Sequence, residues 1–585
     1  MIRTRLSSSM KVACMALLLS SCGHSHNDSS ETGGTTPPAL SEQDALATAT
    51  PIKHLVVIFG ENESFDHYFG TYPQSANPAG EPVPDSANAP SNVANVNGYI
   101  RSASLLTANP NTTSAANIAK ASAAGFPASY MNPFRLDRAQ FDTSSQNHAY
   151  TPEQQATNNL KMDSFVAYTG KGSAGGAGAF GTVAQVMGYF DGNTVTAMWN
   201  YAQNFAMSDN AYTDSFGPST PGAINVISGT TSGADKLIPG DTIADGQGKF
   251  TMINDGDPEG DICSTNAAIT ATMAGKNIGD LLNSAKITWG GFMGGFDLTA
   301  KNANGTGGDP TKCTRSTVSP NTNRTVNDYV QHHAWFQYYA STLNPNHSRP
   351  SSTAMIGHTE TTDGPVDVHS ATLSTNKAVN HQYDYNDFVS AVSAGNFPSV
   401  SYIKAPAFQD AHPGNSNPLD EQAFVTKVIN FLQQQPDWKN TAVIVTYDDS
   451  DGWYDHSAPN ILNSSFDPTA DQMNSAGTCT GPNAKQALDV NGKQVNGRCG
   501  PGTRTPFLVI SPYAKVNYVS STPITQSSVV RFIEDNWLNG QRLGGGSNDA
   551  IAGNIMDMFD FQSAPHTTPV FLDPTTGKKT SSAPA

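Results

Sequence analysis

Two stretches far apart in the chain repeat one design. Residues 55–59 (LVVIF) and 442–446 (AVIVT) are unbroken apolar runs rich in β-branched residues, the mark of strands buried on both faces in a parallel sheet covered by helices. The first stops at Gly60 and is followed at once by Glu61 and Asn62; the second runs through Tyr447 into Asp448 and Asp449. Open α/β sheets place their ligands beyond the carboxyl ends of the strands. If the two strands are parallel neighbours, four oxygen-bearing side chains meet on one rim. Such a set suits one hard divalent cation such as magnesium, calcium or manganese, and zinc also accepts carboxylates.

The stretches between and beyond alternate in the way an α/β fold requires. Helix spacing at 386–394 leads to a strand at 400–403, and an amphipathic helix over 419–434 ends before Pro436 and precedes the second anchor strand. A strand at 506–510 and a helix at 527–538 follow, with earlier helices expected at 65–69 and 195–206. The expected fold is a mixed, largely parallel sheet with helices on both faces. Its catalytic domain spans 52–562 and is interrupted by a loop-rich insertion at 230–380, where Asp255, Asp257, Glu259 and Asp261 read as a solvated loop. Gly176 to Gly181 matches G-x-G-x-x-G, but no strand precedes it, which excludes a dinucleotide reading.

At the amino end, Arg3, Arg5 and Lys11 precede a short apolar segment, the pattern of an export signal over residues 1–21. Leu19-Ser20-Ser21-Cys22 resembles the lipobox of bacterial lipoproteins, in which the cysteine carries the lipid; a plain secretory signal is the alternative. Residues 22–51 read as a polar tether, with His24 and His26 solvated, and 563–585 as a loosely packed tail. The expected location is the periplasm or, tethered, the outer membrane, with secretion as the alternative and any membrane contact through the lipid alone. Four later cysteines, Cys263, Cys313, Cys479 and Cys499, imply two disulfides in that oxidising setting. Three pairings are open, and 263 with 313 plus 479 with 499 is favoured because each pair closes a polar loop. A formal charge of -17 excludes a nucleic-acid backbone as partner.

The third key stretch is Phe216-Gly217-Pro218-Ser219-Thr220-Pro221, where Thr220 is placed to cap a helix and Pro221 to begin it. Ser219 then sits before a helix N-terminus, a natural seat for a phosphate. His148 lies before a similar start, with Thr151 as the expected cap and Pro152 as the first helical residue.

FGENESFDHYFG around Glu61, the Gly-Pro-Ser-Thr-Pro turn, His332-His333 before AWFQYY, and TYDDSDGWYDH together resemble the bacterial phosphoesterase family of phospholipases C and secreted acid phosphatases, with its alkaline-phosphatase-like core. ENESFDHYFGTYPQSANPAGEP is similar to the acid phosphatase branch. Two positions depart from the pattern: Glu63 stands where many members carry arginine, and Asp449-Ser450-Asp451-Gly452 replaces a Glu-His-Gly-Gly common among the phospholipases. The resemblance implies that Glu61, Asn62, Asp448, Asp449 and Ser219 hold a metal and that Ser219 is the nucleophile. His332 and His333 match the family's adjacent pair, and His148 and His412 are further candidates for stabilising oxygens and protonating the leaving group. The expected activity is an acid phosphatase working on small phosphorylated substrates through a phosphoserine, favoured by low pH if the imidazoles act protonated. A phospholipase C is the nearest rival, and a non-catalytic surface-binding lipoprotein is the alternative of another class.

Overall fold

The structure, a computed structural model, describes residues 41–85, 90, 92, 103–171 and 182–584. The export signal, Cys22, His24, His26 and the Gly176 to Gly181 motif lie outside the described residues. The sheet's strands are β1 (His54–Gly60), β2 (Ala206–Ser208), β3 (Trp289–Met293), β4 (Gln382–Asp384), β5 (Val400–Lys404), β6 (Thr441–Tyr447), β7 (Phe507–Ile510) and β8 (Tyr518–Ser520), in the spatial order β4-β3-β5-β1-β6-β7-β2-β8. β7 runs antiparallel to both its neighbours, and every other pairing is parallel. The mixed, largely parallel sheet expected from the apolar runs is therefore what forms.

Register shows why both faces are apolar. Val57 lies opposite Tyr402 on one side and Ile444 on the other, so the three share a face. Tyr402 Oη donates to Val226 O, 3.2 Å away, in the helix Ser219–Ser228. Tyr447, three residues past Ile444, points to the other face and donates to Glu421 in the helix Pro418–Gln433. That helix starts where its sequence says: Asn417 accepts hydrogen bonds from Leu419 N and Asp420 N, each at 3.0 Å, and Pro418 fills the first turn. The helices used below are α1 (Phe65–Phe69), α2 (Tyr150–Thr157), α3 (Ser219–Ser228), α4 (Pro418–Gln433) and α5 (Ser527–Trp537).

Several expectations are corrected. The 230–380 stretch supplies β3 to the central sheet and a helix, Ile278–Ala285. The strand hides in a glycine pair: a Cβ on Gly290 would lie 2.7 Å from the Phe292 ring, and one on Gly291 3.1 Å from that of Phe336. The helix expected through residue 206 ends at Asn204, and Ala206–Ser208 crosses into the sheet. The acidic loop is only half solvated: Asp255 and Glu259 are partly exposed, whereas Asp257 and Asp261 are buried. Asp261 is buried and accepts from Gln337 Nε2 at 2.7 Å and Cys263 N at 2.7 Å, with His347 Nε2 3.0 Å away.

Residues 41–51 and 570–580 are also more firmly held than their composition suggests. The fold begins by residue 41, where the tether was expected to reach 51: Ala49 N donates to Asn536 O and Thr50 N to Asn536 Oδ1 on α5, each at 2.9 Å. Near the carboxyl end, Asn430 of α4 donates to Leu572 O at 2.7 Å and accepts from Leu572 N at 3.1 Å, and Leu572 is fully buried. The disulfides join Cys263 to Cys313 and Cys479 to Cys499, the favoured pairing.

α1 carries a titratable group with a consequence for stability. His67 is buried, its Nδ1 lies 2.8 Å from Gly188 O, and its ring stacks on Trp453 at 3.9 Å. Burial lowers its pKa to about 4, against an ordinary value near 6.5. A histidine that is neutral when folded and binds a proton when unfolded stabilises fully above pH ~6.5, and the contribution is lost as pH falls towards 4. The loss amounts to at most about 3 kcal/mol. His67→Gln should therefore show a shallower fall of urea-unfolding free energy than the wild type between these pH values.

Candidate active site

β1 and β6 lie side by side with Gly60 opposite Tyr447, so the residues that follow each strand emerge together. Asn62 turns through the left-handed region at φ 62°, which asparagine tolerates better than most residues. That turn aims its N–H at Asp448 Oδ1, 2.9 Å away, and Asp449 N donates to the same oxygen at 2.8 Å. Two buried acceptors are left over, Asn62 Oδ1 and Asp448 Oδ2, with no hydrogen bond to either. Buried polar atoms without partners are uncommon and call for an explanation.

α3 begins at Ser219 itself, with Pro218 as its cap, two residues earlier than a Thr220 cap would place it. The cause is Asp255, whose Oδ1 accepts the Thr220 N–H at 3.0 Å, while the Thr220 hydroxyl is drawn to His332 O at 3.3 Å. Ser219 Oγ lies 2.9 Å from Glu61 Oε2 and 3.3 Å from Asp449 Oδ2. α3 can approach this closely because residue 222 has no side chain: a Cβ there would lie 2.2 Å from Asp448 O. Gly222→Ala should displace Ser219 from both carboxylates, lowering turnover at least ~10²-fold, as a misplacement near 1 Å does. A substrate assay with circular dichroism as the folding control checks it.

α2 ties this turn down from outside. It starts at Tyr150 after Ala149, not at Pro152, because the Thr151 hydroxyl donates to Ala470 O at 2.7 Å and is not available as a cap. From it, buried Glu153 accepts from Gly217 N and from Ser450 Oγ, each at 2.9 Å, joining the serine turn to the loop after Asp449.

The four histidines form a row. Ring centroids are 4.4 Å apart for His332 and His333, 6.4 Å for His333 and His412, and 6.2 Å for His412 and His148. His148 Nε2 lies 3.3 Å from Asn62 Nδ2, and its Nδ1 lies 3.1 Å from Asp451 Oδ1. Burial works against charge on His148, but Asp449 and Asp451 outweigh it and hold its pKa well above the usual range. Burial pushes His333 well below that range and His412 below it. Asp451 also accepts from Asn62 Nδ2 at 3.2 Å.

Two residues escaped the sequence reading. Lys404, the last residue of β5, is buried and its ammonium rests on Glu61 Oε1. A lysine closing the apolar run VSYIK at a carboxyl strand end was the available signal. Asp410 is buried beside it, with Oδ2 4.0 Å from His333 Nδ1 and no hydrogen bond; no strand or motif marked it. Burial raises Glu61 and Asp449 well above the carboxylate range, in each case with Asp448 adding to the effect, and pushes Asp410 up to about 8. Burial opposes charge on Asp448 too, yet Lys404, Glu61 and Asn62 N–H keep it below its usual value. So dense an acidic rim binds either protons or a cation, and the orphaned Asn62 and Asp448 oxygens fit a cation. Glu61, His333 and Asp410 also offer ligand atoms within 4.8 Å of one another.

Asp66, Asp455 and His456 have metal-like spacing as well, but Arg504 already supplies their positive charge. A cleft of about 660 Å³ opens beside His148 and Pro218. Among the described residues its lining is mostly polar, including Lys120, Gln146, Lys171, Asn254 and Asp255.

The sequence pattern of the Phosphoesterase family matches residues 52–348 and 296–538, together most of the chain. The chain belongs to that family. Its curated relatives carry phospholipase C in their names. A non-hemolytic phospholipase C of Pseudomonas aeruginosa is 33% identical over 29% of this chain and 24% of its own. A non-hemolytic phospholipase C of Burkholderia pseudomallei is 31% identical over 31% and 25%. Phospholipase C A of Mycobacterium tuberculosis is 28% identical over 31% and 33%. The phosphoesterase chain thus spans a third or less of the length of these relatives. Among solved structures, murine ectonucleotide pyrophosphatase/phosphodiesterase 5 is 10% identical over 63% of this chain and 94% of its own, at a TM-score of 0.30. A variant of the alkaline phosphatase PafA is 11% identical over 62% and 94%, at 0.28. No described helix is long and apolar enough to cross a membrane.

Proposed function

We propose that the protein is an exported, metal-dependent phosphomonoesterase in which Ser219 is the nucleophile. The observation that carries this reading is the placement of Ser219 Oγ within 3.3 Å of both Glu61 and Asp449, at the first residue of a buried helix. Glu61, Asn62, Asp448 and Asp449 would hold one divalent ion together with Ser219, and such an ion lowers the pKa of a bound hydroxyl and offsets charge on a phosphoryl group. Ser219 attacks phosphorus in line as the bond to the alcohol oxygen breaks, giving phosphoserine. Water then cleaves the phosphorus–serine bond, releasing inorganic phosphate and restoring the hydroxyl. The amino end of α3 faces the transferring oxygens, and His148, kept protonated by Asp449 and Asp451, delivers a proton to the departing alkoxide. His332, His333 and His412 continue the row from His148 and would donate to the remaining oxygens.

A polar cleft favours a small soluble ester over a lipid. The second reading, a phospholipase C, draws on the names of the relatives. Turnover of an aryl phosphate set against phosphatidylcholine tests the choice: efficient release from the first and little from the second is expected, and the reverse would replace this reading. Dialysis against EDTA should abolish turnover, with recovery on adding back a divalent ion.

A further inference from the structure

The rim of the sheet contains a second cation-sized place that the proposed ion does not use. His333 Nδ1 lies 3.1 Å from Glu61 Oε1 and 4.0 Å from Asp410 Oδ2, and all three side chains are buried. Neither His333 nitrogen makes a hydrogen bond, nor does Asp410 Oδ2. The other Asp410 oxygen is already engaged by His412 N at 3.0 Å, which fixes the carboxylate and leaves Oδ2 pointing inward. One imidazole nitrogen and two carboxylate oxygens thus lie within 4.8 Å of one another, close enough for small side-chain movements to bring them onto one divalent ion. At the Glu61 corner of this place stands the ammonium of Lys404, resting on Glu61 Oε1 while Glu61 Oε2 faces Ser219.

We infer that Lys404 is a built-in substitute for a second metal ion. On this reading, which rests on the metal-dependent mechanism above, Glu61 bridges a divalent ion through one oxygen and a lysine through the other. Two-metal phosphoryl-transfer sites place a second ion about 3.5–4 Å from the first, shared by a bridging carboxylate. Here the fixed ammonium occupies that role with one positive charge and no open coordination position. It positions Glu61 and sets the metal count at one. Removing the ammonium leaves a negative pocket with an imidazole and two carboxylates already aimed into it.

The test is metal content after equilibration with Mn²⁺ and gel filtration. The wild type should hold one equivalent, Lys404→Gln two, and Lys404→Gln combined with Asp410→Asn one again. Electron paramagnetic resonance should show an isolated Mn²⁺ signal for the wild type and a spin-coupled pair for Lys404→Gln, which separates a paired site from surface binding. If Lys404→Gln does not fold, Asp410→Asn alone decides: it should retain its single equivalent, whereas loss of that equivalent would make Asp410 a ligand of the first ion and overturn the inference. One equivalent in a folded Lys404→Gln, a second that survives Asp410→Asn, or two in the wild type would each overturn it. A wild type that binds no metal would instead remove the metal-dependent mechanism, and this inference with it.

Discussion

Ser219→Ala should lower turnover of an aryl phosphate by ~10⁴-fold or more while leaving the unfolding temperature close to that of the wild type. Losses of this size follow when the nucleophile of a covalent mechanism is removed, because the remaining groups have nothing to activate. The substitution deletes one oxygen that touches Glu61 and Asp449, and α3 keeps its start, since Asp255 holds Thr220 N. An acid quench of the wild type during turnover should trap phosphate on residue 219, and none should be trapped on the variant. Turnover within tenfold of the wild type would rule Ser219 out as nucleophile.

Arg504→Leu should cost about 3–5 kcal/mol of unfolding free energy, the usual penalty for breaking a buried ion pair from one side. Arg504 is fully buried, with Nη2 3.1 Å from Asp66 Oδ1 and 3.0 Å from Asp455 Oδ1, and its guanidinium lies 4.2 Å from the centre of the Phe65 ring. Burial opposes its charge, and the two carboxylates hold it ionised. Without it two acids face each other in the interior. Lysine would not rescue, because one ammonium does not reproduce a planar fork that reaches both acids and Asp209 O. Urea unfolding monitored by tryptophan fluorescence measures the difference, and a change below about 1 kcal/mol would contradict this account.

Much of the rim was legible because it combined two local signals, a β-branched apolar run and hard oxygens directly after it. Glu61, Asn62, Asp448 and Asp449 needed only the guess that the runs are parallel neighbours, which the register bears out. Lys404 and Asp410 were missed for a physical reason: beyond the lysine that closes an apolar run, what gathers them at Glu61 is the order of strands across the sheet, a long-range fact. β3 was missed because WGGFM trades β propensity for room, its glycines lying under aromatic rings. The helix starts at α2 and α3 were shifted because Thr151 and Thr220, good caps by composition, spend their hydroxyls or N–H groups on distant loops.

The stitching of residues 570–577 to the helices beneath them also bears on where the protein tolerates an addition. Gly577 O accepts from Asn200 Nδ2 at 2.8 Å, and buried Leu572 exchanges two backbone hydrogen bonds with the Asn430 amide on α4, so an irregular segment clasps two helices near the sheet. An affinity tag spliced in between residues 570 and 577 would part that clasp, whereas one placed after residue 580 would leave these bonds in place.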